Sequence, residues 1–106
     1  MSSREREVLT ATLSVEFPGV EALREQAKTA PVVDMCKCGC PTIHFAVGLE
    51  NGRNRLVVEA TAPDEQHQEV LLFVTDSGLD SMESVSTTDD PPAEFPAAED
   101  LTVTAR

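Results

Sequence analysis

The sequence predicts an α+β fold: a short N-terminal helical pair packed on one face of a mostly antiparallel meander of four or five strands. Three observations carry that expectation. Before Pro31 the apolar residues recur at helical spacing, and after it they alternate every second residue. The pairs Pro18-Gly19, Asn51-Gly52 and Ser77-Gly78 mark turns between the periodic segments. Residues 1–86 are expected to form a single domain, and residues 87–106 an extended, acidic, proline-containing C-terminal strap.

The first helix starts at a capping box. Ser2 followed by Glu5 lets each side chain satisfy an orphan amide of the first turn. Leu9, Leu13 and Phe17 then form an apolar stripe, flanked by Val8 and Ala11, and Pro18-Gly19 ends the helix. A second helix is expected over residues 19–29, with Val20, Leu23 and Ala27 on its buried side. Glu21–Arg24 and Glu25–Lys28 have the spacing of helix-surface ion pairs. Pro31 closes it.

Val32 to Met35 is a short strand candidate, and Ile43, Phe45, Val47 and Leu49 form the buried side of a second. Asn51-Gly52 suggests a hairpin joining that strand to a partner over residues 55–61. The most apolar run, Val70 to Val74, belongs in the centre of the sheet. Beyond Ser77-Gly78, residues 79–85 alternate but are polar, as suits an edge strand. Pro91, Pro92 and Pro96 keep the next segment out of regular structure, so a strap pinned by Phe95 with a frayed end is expected. The core is drawn from Leu9, Leu13, Phe17, Val20, Leu23, Val33, Ile43, Phe45, Val47, Val57, Leu72, Val74 and Leu79.

Charge narrows the partners. The net charge is −11, and residues 76–106 hold eight acids against one base, Arg106. Such a balance disfavours nucleic-acid backbones and anionic membranes, both of which attract cations. The chain has no Trp or Tyr to stack on bases. Its longest apolar run, Val70 to Val74, is far too short to cross a bilayer, and no apolar segment follows the charged start as a secretory signal would require. A cytoplasmic, reducing location is therefore expected, where the three cysteines would be thiols or metal ligands.

The cysteine segment, Met35-Cys36-Lys37-Cys38-Gly39-Cys40-Pro41, poses the sharpest chemical question. Alternate side chains on a straight strand stand roughly 6.5–7 Å apart. Thiolates sharing one zinc ion need to sit about 4 Å apart. Gly39 and Pro41 suit the bend that would bring Cys36, Cys38 and Cys40 together. With His44 they would complete a tetrahedral zinc site, and Met35 with the thiols would suit monovalent copper. Against this stands a plain structural role, since small half-buried cysteines fit tight turns and the usual C-x-x-C pairs are missing. A Cys38 or Cys40 nucleophile paired with His44 and oriented by Asp34 can also be drawn, but no family signature surrounds it. His67 sits in a polar stretch, residues 63–68, read as a solvated loop.

Three stretches carry a resemblance. C-K-C-G-C-P-T-I (Cys36 to Ile43), L-L-F-V-T-D-S-G-L-D-S-M-E (Leu71 to Glu83) and P-P-A-E-F-P (Pro91 to Pro96) resemble a family of small uncharacterised actinobacterial proteins. The resemblance spans most of the chain and implies no activity, ligand or catalytic residue. The turn, the L-x-x-M-E strand and the proline-rich strap are also similar in style to small toxin-immunity proteins.

Together these readings point to a soluble, acidic, non-enzymatic protein-interaction module with a basic protein as partner. The alternatives are a metal-binding protein, structural zinc or a thiol sensor, built on the C-x-C-x-C turn, and, third, a cysteine-nucleophile enzyme.

Overall fold

The computed structural model describes residues 2–35, 42–45, 53–62, 68–86 and 94–106, with residues 33–35 as backbone. Helix α1 (Ser3–Thr12) begins as the sequence demands: Ser2 accepts from the Glu5 amide at 3.1 Å, and Glu5 accepts from the Ser2 amide at 2.8 Å. It ends earlier than the stripe implies. The Thr12 hydroxyl donates to the Leu9 carbonyl and the Ser14 hydroxyl to the Ala11 carbonyl. Such short side chains compete with the helical ladder and help it stop. Leu13 is still buried, but Phe17 lies outside the helix, half-buried against the core.

Helix α2 (Val20–Ala27) starts at Gly19, whose φ of 90° is left-handed and open to glycine at no steric cost. Glu25 and Lys28 pair at 3.0 Å as expected. Arg24 does not turn to Glu21. It reaches across the hairpin, donating from Nε to the Leu13 carbonyl at 2.7 Å and pairing with Glu16 at 3.0 Å. The last carbonyls of a helix have no partner within it, so the guanidinium satisfies one of them, whereas pairing with a solvated carboxylate one turn away gains little.

The strands are β1 (Val32–Met35), β2 (Ile43–Phe45), β3 (Arg55–Thr61), β4 (Gln68–Thr75), β5 (Gly78–Ser86) and β6 (Thr102–Ala105). They form one sheet in the order β1-β2-β5-β4-β3-β6, every neighbouring pair antiparallel. The fold is thus α+β, with the helical pair against one face of a meander. No helix among the described residues is long and apolar enough to cross a membrane.

Three local expectations give way. β3 pairs with β4 and β6, not with β2, whose partners are β1 and β5. The Asn51-Gly52 turn itself lies outside the described residues. Ile43 is instead buried against Met82 across the β2–β5 seam. β5 is therefore an interior strand. Its polar groups are matched: the Ser84 amide donates to Thr42 Oγ1, and Gln68 Nε2 donates to Ser84 Oγ. The chain end is not frayed from residue 102 onwards, because β6 pairs with β3 from Val58–Ala105 to Thr61–Thr102.

The core lies between the helices and the inner sheet face. Val58, Ala60, Val70, Leu72, Met82, Ile43 and Phe45 are all sealed from solvent, and Val8, Leu9, Leu13, Val20 and Leu23 meet them from the helices. Val57 and Val58 are both buried because the β3–β4 register slips between Leu56 and Val58. Such a bulge breaks the two-residue alternation at one point. The side chain of Val33 and all of Val47 lie outside the described residues.

The β4–β5 turn, Asp76-Ser77, is held from α2. Gln26 Nε2 donates to the Ser77 carbonyl at 2.9 Å, and its Oε1 accepts from the Leu79 amide at 3.0 Å.

Candidate functional site

Directly opposed residues in antiparallel strands share a face. The register therefore defines the outer sheet face, away from the helices. Leu56, Phe73, Ser81 and His44 make one row across β3, β4, β5 and β2. Glu59, Leu71 and Glu83 make the next, and Thr61, Glu69 and Val85 the third. Leu56, Leu71 and Phe73 are half-buried, and Val85 is 38% exposed. Three carboxylates stand among them. Glu59 is paired with Arg106 at 3.0 Å, and Glu83 accepts from the Ser81 hydroxyl at 3.0 Å.

Sequence reasoning missed this surface. The run Val70 to Val74 reads as central in the sheet, with Leu72 and Val74 in the core; Val70 joins them there, while Leu71 and Phe73 turn outward as large apolar groups among acids. The signal that could have found it is the pair of acids, Glu59 and Glu69, set in otherwise apolar strands. A strand buried on both faces has no room for solvated carboxylates.

The predicted metal ligands divide. Cys36, Cys38 and Cys40 lie outside the described residues, as does His67. His44 is described: it sits half-buried in the middle of β2, on the outer face. Its Cα partners are Asp34 on β1 and Ser81 on β5. Asp34 and His44, two members of the catalytic arrangement drawn from sequence, are thus opposite each other in register. Ser81 is fully buried and its hydroxyl is bonded to Glu83, so it is not poised as a nucleophile. Among the described residues, no three His, Cys, Asp or Glu side chains group as a metal site.

The residues on either side of the cysteines are described. Met35 and Ile43 are Cα partners in antiparallel strands, so the chain runs out along β1 and back along β2. All three cysteines belong to the short connection between those two residues.

Comparison with protein-family models, with curated proteins and with solved structures gives no match.

Proposed function

We propose that this chain is a non-enzymatic interaction module that docks a basic protein on the outer face of its sheet. The observation that carries the reading is the mixture on that face: Leu56, Leu71 and Phe73 at the centre, with Glu59, Glu69 and Glu83 beside them. Apolar anchors framed by charge are the anatomy of a specific interface, where burial supplies affinity and charge supplies partner choice. The net charge of −11 steers a cationic partner from a distance.

The test uses a defined probe, an amphipathic peptide of alternating lysine and leucine, beside its glutamate–leucine counterpart. Fluorescence anisotropy should show the basic peptide binding, and Glu69→Lys with Glu83→Lys should weaken it about tenfold or more, with binding fading as salt rises to about 0.5 M. The control pair Glu21→Lys and Glu25→Lys, on α2, should change little. Equal weakening by both pairs, or equal binding of the acidic peptide, would show that the outer face is not the docking site.

A second reading rests on the sequence, in which Cys36, Cys38 and Cys40 all fall between Met35 and Ile43, Cα partners on β1 and β2, with His44 next along the chain. That stretch would hold a soft ion, zinc first and monovalent copper as the other candidate. Native mass spectrometry of protein purified without a histidine tag is expected to show one bound ion, lost in Cys38→Ser. Metal-free protein after zinc addition, or an ion retained in Cys38→Ser, counts against it.

A further inference from the structure

Three of the bases of this acidic chain share one place. Of its eight Lys and Arg residues, three (Arg6, Arg24 and Lys28) line a single groove between α1 and α2. The groove holds about 400 Å³, within the range of small-molecule sites. Its floor is Leu9, Leu13 and Ala27, and the hydroxyl residues Thr10 and Ser14 stand at its rim.

The cations are held in place by the helices themselves. Arg24 Nε donates to the Leu13 carbonyl at the end of α1, and an Arg6 terminal nitrogen lies 3.5 Å from the Ala27 carbonyl at the end of α2. Each helix thus sends an arginine to the other's C-terminal turn, where the carbonyl ends carry partial negative charge. Helix capping accounts for Arg24, which also pairs with Glu16. It accounts less well for the other two. The Arg6 contact is long, and Lys28 pairs with an exposed Glu25, an arrangement worth little in water. A guanidinium offers five N–H donors and an ammonium three, so both retain donors that can turn toward the groove.

We propose that this groove binds a small amphiphilic monocarboxylate, with its carboxylate between Arg6 and Lys28 and its alkyl chain over Leu9 and Leu13. The charge of the groove is opposite to that of the chain, which favours an anion. The apolar floor and the aliphatic stems of Arg6 and Lys28 favour an alkyl tail over a fully hydrated anion such as phosphate. No aromatic residue lines the groove, so a nucleobase would find nothing to stack on. This site lies on the helical side of the molecule and does not depend on the reading of the outer sheet face.

The experiment is an NMR titration of the full chain with octanoate, 1-octanol and octylamine in parallel. Octanoate should shift the amide signals of residues 6, 9, 13, 24, 27 and 28, saturating at low millimolar concentration. Arg6→Gln with Lys28→Gln should weaken it about tenfold, and since both side chains are exposed the fold should survive. Octanol should bind more weakly and octylamine not at all. Equal binding of octanol, unchanged binding in the double variant, or no shift at these residues up to about 10 mM octanoate would each overturn the proposal.

Discussion

Gly78→Ala is expected to destabilise the protein by about 3–5 kcal/mol, from backbone strain and lost hydrogen bonds together. Gly78 follows the β4–β5 turn with a φ of 123°, a region that side-chain-bearing residues rarely adopt. A methyl group there would also overlap the side-chain amide of Gln26. That amide can swing aside, but only by releasing the Ser77 carbonyl and the Leu79 amide that it holds. The two parts can be separated. In a Gln26→Ala background the clamp is already gone, so Gly78→Ala should there cost only the backbone part, about 1–3 kcal/mol. Urea denaturation of the four proteins reads both effects. A single Gly78→Ala within about 1 kcal/mol of the parent would show that the turn relaxes freely.

Phe95→Ala carries the other large effect, an expected loss of about 3–5 kcal/mol. Phe95 is 1% exposed and belongs to the core, although the chain around it is neither helix nor strand. Its backbone is held from both layers: Arg4 on α1 donates to the Phe95 carbonyl at 2.9 Å, and Gln68 on β4 donates to the Glu94 carbonyl at 3.2 Å. Truncating the ring leaves a cavity between helix and sheet, and the anchoring bonds resist its collapse. Phe95→Leu should recover more than half of the loss, because most of the buried volume returns. A Phe95→Ala protein that unfolds in urea within about 1 kcal/mol of the parent would mean that the strap contributes no core.

Legibility varied with the range of the interactions. The capping box at Ser2 and Glu5, the start of α2 at Gly19, the tight turn at Ser77-Gly78 and the apolar stripe of Leu9 and Leu13 all depend on neighbours within one turn, and all are visible in the sequence, whereas α1 ends at Thr12, well before the breaker at Pro18-Gly19. So was the central place of β4, since few other segments are as apolar. Strand partners were harder. Nothing near Thr102 announces that four residues will pair with β3, some forty positions earlier, although their burial does alternate. The polar alternation of β5 reads as an edge strand. Gln68 and Thr42, distant in sequence, satisfy Ser84 and make an interior place affordable. Met82 escaped the core list for the same reason: it lies among polar residues, and only the Leu72 and Ile43 neighbours on either side reveal its burial.

The candidate sites divide along the same line. The cysteines are conspicuous by spacing alone, and the topology adds only that Met35 and Ile43, on either side of them, are antiparallel partners. The outer face and the helix groove were not visible, because neither is contiguous in sequence. Glu59, Leu71 and Glu83 become neighbours only through register, and Arg6 and Lys28 line one groove only once α1 and α2 pack.

Taken alone, the chain's order of residues determined its α+β class, the places where helices begin and turns fall, and its acidic character. Those follow from backbone preferences and charge, which act locally or simply add. Tertiary structure decided which strands lie side by side, which outward residues share a face, and which charges share a groove. These depend on bringing distant segments together, where burial of apolar surface, rather than local preference, selects the partner.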